Sequence, residues 1–179
     1  MSLIAYSPVA LYLLTELLRK SPKKEQRYNH LSSILIAVSN LLMFLLPTWI
    51  HLLGKGPSQP LYVSAGILIG LAGVGVRVAA MRTLGRYFSR FISIQESHQI
   101  IRKGLYRVLR HPGYLGTLLI FVGYALALSS WPGVIINLKI FFVVYSYRMK
   151  VEEQMMLSYF GPSYRQYQKE TYKILPYLY

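Results

Sequence analysis

The 179-residue sequence has no cysteine and no aspartate, and its only acids are six glutamates. Without cysteine, disulfides and thiolate metal sites are excluded. With so few carboxylates, acid–base or metal chemistry built on carboxylate pairs has little material, and no metal site is expected. Equally scarce is charge within the apolar stretches. More than half of the residues are apolar, yet the formal net charge is +14, and the basic residues arrive in bursts between long runs that carry almost none. A soluble basic protein would spread them along the chain.

Those runs approach the length of roughly 20 residues that a helix needs to cross a hydrocarbon core about 30 Å thick. The fold class expected is all-α: a multi-pass membrane helical bundle with about five transmembrane helices and a single domain over 1–179. Spans are expected at about 3–18, 31–53, 61–81, 112–129 and 133–150, followed by a cytoplasmic tail at 151–179. The first segment lacks a basic leader and a small-residue cleavage site, and reads as a retained span rather than a signal peptide. It is short and carries Pro8 and Glu16, so an interfacial helix is the alternative. The apolar run at 114–147 is too long for one crossing and is interrupted near Trp131-Pro132-Gly133. It therefore reads as a helical hairpin turning on those three residues.

Charge placement tests this layout. With five spans, the loops at 19–30 and 82–111 and the tail from 148 lie on one side and hold 17 of the 20 Lys and Arg. By the positive-inside rule that side is cytoplasmic, with the N-terminus outside or lumenal. The membrane is the plasma membrane in a prokaryote and the endoplasmic reticulum in a eukaryote. The positive charge is then topogenic, not a nucleic-acid footprint, which would be a basic face on a soluble fold.

Gly66, Gly70, Gly73 and Gly75 have the wrong spacing for a dinucleotide fingerprint. Gly66 and Gly70, four apart in an apolar helix, suit close helix packing. Arg77 and Lys139 lie within spans, and snorkelling to the interface is the simpler reading of each. In Arg110-His111-Pro112-Gly113-Tyr114-Leu115-Gly116, Pro112 suits a first helical position, and the following amides make an anion-ready site with Arg110 and His111 as added donors. A plain helix start is the competing reading. Arg148 and Glu152 share a helix face four residues apart. Arg148 suits an anionic substrate group and Glu152 a cationic ligand, although the two together would also make an interfacial ion pair, with Glu153 solvated. Tyr106 and Tyr114 offer aromatic faces for a sulfonium.

Taken in order, these pieces resemble the isoprenylcysteine carboxyl methyltransferase family and its phospholipid methyltransferase relatives. The resemblance covers about 98–176: His98, Gly104 and Tyr106, then Arg110-His111-Pro112-x-Tyr114-x-Gly116. It continues through Arg148-x-x-x-Glu152-Glu153 and Phe160-Gly161-x-x-Tyr164-x-x-Tyr167 to Leu175-Pro176, with Lys173-Ile174 replacing a common Arg-Phe.

The resemblance implies S-adenosyl-L-methionine as methyl donor, in a cytoplasmic site formed by the 82–111 loop and the C-terminal tail. It implies cofactor contacts at Gln95, His98, Gln99, Ile100, Ile101, Tyr106, His111, Pro112, Gly113, Tyr114 and Glu152, with Gln95 in a shorter loop than the family's. Arg148 is implied as the residue for the substrate carboxylate, and Arg148 and Glu152 as the pair serving the reaction. The expected activity is carboxyl O-methylation of an isoprenylcysteine-like, lipophilic acceptor drawn from the bilayer. Alternatives are a phospholipid or small-lipophile methyltransferase, a sterol-reductase-like NADPH enzyme and a non-enzymatic membrane protein. The reductase pattern reads Arg-His-Pro-Asn-Tyr-x-Gly-acid, and here Gly113 and Thr117 replace the Asn and the acid.

Overall fold

The computed structural model describes residues 3–18, 30–54, 59–88 and 99–176. The basic loop at 19–29 and the site candidates Gln95 and His98 lie outside the described residues. The all-α expectation holds. A 3-10 turn over Leu3–Tyr6 leads into α1 (Ser7–Leu17), followed by α2 (His30–Gly54), α3 (Pro60–Leu84), α4 (Pro112–Ala127), α5 (Trp131–Phe160) and α6 (Pro162–Glu170). Five of these helices carry proline in the first turn, where the missing N–H is no loss and the fixed φ favours the helix. α2 and α3, at 25 residues each, are long and apolar enough to cross a membrane, whereas α1 and α4 are shorter apolar helices.

The tightest contact in the bundle joins α3 to α4, and glycine makes it possible. A Cβ added at Gly66 would stand 2.5 Å from Gly123 O, and one at Gly73 would stand 2.7 Å from Gly116 O. Gly123 and Gly116 meet the same backbone from the other side. Two backbones approach this closely only where neither carries a side chain. Gly70 instead receives Pro8 of α1, which tucks α1 against the α3–α4 pair. Gly75 has nothing within 4 Å of an added Cβ and takes no part.

α2 packs mainly on α5. Pro47 lies inside α2 and cannot donate to Met43 O, one turn earlier. Asn137 of α5 supplies the missing donor: it is fully buried, and its Nδ2 donates to Met43 O at 3.1 Å and to Phe121 O at 2.8 Å. One amide thus ties α2, α4 and α5 together.

Three sequence expectations are corrected. Arg77 does not snorkel. It is buried, pairs with Glu16 of α1 at 2.6 Å, and donates to Gly113 O and Thr117 Oγ1 of α4 at 3.1 and 2.8 Å. A buried guanidinium needs such partners to offset its desolvation. The turn between α4 and α5 lies at Leu128–Ser130, where Ser129 has φ 56°. Trp131-Pro132-Gly133 opens α5 instead, because Ser130 Oγ accepts from Gly133 N and Pro132 fits the first turn. Finally, α5 does not stop near 150. It runs 30 residues to Phe160, so the first ten residues of the expected tail are helix.

Gly66→Ala and Gly123→Ala should each destabilise the bundle by about 1–3 kcal/mol, the usual cost of overpacking. Gly75→Ala should leave stability unchanged or raise it slightly. Thermal unfolding of the detergent-solubilised variants checks this, and equal midpoints for all three would exclude the tight α3–α4 contact.

Candidate active site

At the end of the bundle where α3 finishes and α4 starts, the chain after α6 folds back onto the segment before α4. Arg110 N donates to Tyr172 O at 2.8 Å, His111 N to Lys173 O at 3.0 Å and Tyr172 N to Val108 O at 2.9 Å. The buried carboxylate of Glu153 locks this junction. It accepts from Arg110 Nε at 2.7 Å, lies 3.1 Å from His111 Nε2 and accepts from Gln168 Nε2 at 3.3 Å. Arg110 also donates to the carbonyls of Gln168 and Thr171. Burial alone would raise the Glu153 pKa. The hydrogen bonds and charges of His111 and Arg110 overcome that effect and lower it from 4.5 to about 2.

With Arg110 and His111 fixed, the first turn of α4 faces two adjoining cavities. They share Leu84, Tyr87, Tyr106, Arg110, His111 and Glu152 as walls. The first adds Phe88, Gly113, Tyr114 and Arg148. The second adds Gln99, Ile100 and Ile101, with Met155, Met156, Tyr164 and Tyr167. Tyr114 connects the two charged residues of the first cavity. Its hydroxyl accepts from Arg148 Nε at 3.2 Å and donates to Glu152 Oε2 at 2.7 Å. Tyr114 also stacks on His111, with ring centroids 5.4 Å apart. Arg148 is only 4% exposed, and its Nη1 donates to Ser32 Oγ at 2.7 Å and Ser33 Oγ at 3.1 Å in α2. Burial, then the Glu152 charge, pushes the Tyr106 phenol well above its ordinary pKa. It therefore presents a neutral aromatic wall.

Of the residues singled out in the sequence, Gln99, Ile100, Ile101, Tyr106, His111, Gly113, Tyr114, Arg148 and Glu152 line these cavities. Pro112 is buried behind them as the first residue of α4. Two expectations change. Glu153 is not solvated: at 7% exposure it is the buried centre of the junction. Arg110 and His111 both engage that carboxylate rather than extending an anion-ready helix start. Leu84, Tyr87 and Phe88 were not anticipated as walls, nor were Ser32 and Ser33 as partners of Arg148. Only the position of Leu84-to-Phe88 at the end of a span hinted at a role.

The described residues form an all-helical bundle with a polar cavity assembled at the helix ends. A eukaryotic intramembrane Ras methyltransferase, isoprenylcysteine carboxyl methyltransferase, shares this fold with a TM-score of 0.65 at 22% identity, over 98% of this chain and 63% of that one. The phospholipid methyltransferase family model matches residues 61–163. Protein-S-isoprenylcysteine O-methyltransferase A of Arabidopsis thaliana is 30% identical, over 83% of this chain and 79% of the relative. A probable protein-S-isoprenylcysteine O-methyltransferase of Oryza sativa is also 30% identical, over 63% of this chain. The chain spans 60% of the length of that rice relative. The chain belongs to the phospholipid methyltransferase family, in the group of the protein-S-isoprenylcysteine O-methyltransferases.

Glu153→Gln leaves Arg110 and His111 facing a neutral amide, and should cost about 3–5 kcal/mol, as breaking a buried ion pair does. The carboxylate's contribution is complete above pH 4.5 and is lost as pH falls toward about 2, because the folded state holds the charged form. The melting midpoint of the wild type should fall across that window, and that of Glu153→Gln should fall less.

Proposed function

We propose that this chain is an S-adenosyl-L-methionine-dependent methyltransferase that methylates the carboxyl group of an isoprenylcysteine-like acceptor at the membrane. The observation that carries this reading is the Tyr114 bridge. It holds a guanidinium suited to a carboxylate and a carboxylate suited to an ammonium in one cavity, within a chain of this family.

The residues present fit the methyl donor by their chemistry. Glu152 offers an anionic acceptor for its amino group. Tyr87, Phe88, Tyr106 and Tyr114 offer the aromatic faces that a sulfonium prefers. Gln99, Ile100 and Ile101 add one further edge of the neighbouring cavity. When bound, S-adenosyl-L-methionine supplies a methyl group on a positively charged sulfur.

The chain's own part in the reaction is placement. A carboxylate acceptor is already ionised, so no general base is required, and the neutral Tyr106 is not asked to act as one. Arg148 holds the acceptor's carboxylate and Glu152 anchors the donor. Tyr114, bonded to both, fixes the distance between them, and orientation of this kind can contribute on the order of 7–11 kcal/mol to lowering a barrier. An amine acceptor such as a phospholipid headgroup would first have to shed a proton, a step that a carboxylate acceptor does not need.

The membrane completes the reading. With the five spans read from the sequence, the basic loops and the C-terminus lie on the cytoplasmic side. α4, with 16 residues, is about 24 Å long, shorter than a bilayer core about 30 Å thick. A lipophilic acceptor then enters from the bilayer while the soluble donor arrives from the cytoplasm.

The test is transfer of a labelled methyl group from S-adenosyl-L-methionine to a panel of prenylcysteines, phospholipids and small lipophiles. Labelling of the prenylcysteine carboxyl is expected; labelling of phospholipid alone would reassign the acceptor. Arg148→Ala should abolish transfer with donor binding largely intact. Glu152→Ala should weaken donor binding, and an unchanged donor affinity in that variant would remove Glu152 from its role.

A further inference from the structure

Ser32 and Ser33 lie in the first turn of α2, in a half of the chain where no motif pointed to function. Serines at a helix start usually turn to their own backbone or to water. Here their oxygens accept hydrogen bonds from Nη1 of Arg148 on α5, across 116 and 115 positions of sequence. Ser32 is 1% exposed, so its hydroxyl sits inside the bundle.

Resting on the function proposed above, we propose that Ser32 and Ser33 are positioning residues for the acceptor, acting through Arg148. A guanidinium is a planar, rigid fork, and it binds a carboxylate with least loss of freedom when its plane is already set. Three oxygens set it here: the two serine hydroxyls from α2 and the Tyr114 hydroxyl from α4. All three are neutral hydroxyls, so these contacts orient the fork without themselves setting an anion against it. A glutamate or aspartate in place of either serine would hold the fork equally well but would compete with the substrate. α2, in the N-terminal half of the chain, thereby takes part in acceptor recognition.

The experiment is steady-state methyl transfer to a farnesylated cysteine with a free carboxyl and a blocked amine, together with direct measurement of S-adenosyl-L-methionine binding. In Ser32→Ala/Ser33→Ala the acceptor KM should rise about tenfold or more, as expected for lost hydrogen bonds to a charged group. kcat and donor affinity should stay near wild type. Ser33→Thr, which keeps the hydroxyl, should retain the wild-type KM. An unchanged acceptor KM in the double variant overturns the proposal, and so does a fall in donor affinity matching the loss of activity, which would mark a general structural role. If the double variant does not fold, Ser33→Ala against Ser33→Thr decides, and equal KM values overturn the proposal. Wild-type protein that methylates no carboxylate acceptor overturns the proposed function and this inference with it; an active wild type with an indifferent serine pair overturns this inference alone.

Discussion

The carboxylate of Glu153 is the constraint on which the site depends. Removing an ionised group from water is costly, and the cost is met only when partners surround it. Arg110 and His111 come from the segment before α4, Glu153 from α5 and Gln168 from α6. Satisfying one charge therefore brings together three stretches of chain. The backbone pairing of residues 108–111 with Tyr172 and Lys173 closes around it. The outcome is a fixed entry into α4, and the directions of Gly113 and Tyr114 follow from that entry. Glu152, one residue away on the helix, points to a different face and is left to the cavity.

The apolar bundle beneath is organised by a few polar or missing side chains rather than by hydrophobicity. In a lipid environment apolar side chains gain little by leaving the solvent, so helices associate through close packing and buried hydrogen bonds. Gly66, Gly73, Gly116 and Gly123 provide the first. Asn137 and Arg77 provide the second, each joining three helices. Arg77 also links bundle to site, because the carbonyl it holds belongs to Gly113, a cavity wall.

What the sequence made legible was local. Pro112 announced the start of α4, and the Arg110–Gly116 motif and the four-residue spacing of Arg148 and Glu152 brought several of the cavity walls into view. What it hid were pairings between distant positions. Glu153 and Arg110 are 43 residues apart, Arg77 and Glu16 are 61 apart, and Arg148 and Ser32 are 116 apart. A charged residue whose partner is that distant reads as solvated or snorkelling, which is how Glu153 and Arg77 were first placed. The extent of α5 was hidden for a related reason: its apolar pattern ends near 150, but its helix continues with Glu153 buried against Arg110, His111 and Gln168.

The uninterrupted course of α5 has a mechanical consequence. At 30 residues it is a rod about 45 Å long, longer than the hydrocarbon it would cross. Arg148, Glu152 and Glu153 ride on it at intervals set by helical pitch. A thicker or thinner bilayer is accommodated by tilt, and a tilting rod raises or lowers all three residues together. The spacing between Arg148 and Glu152 is thus insulated from the membrane, while the depth at which they sit follows it.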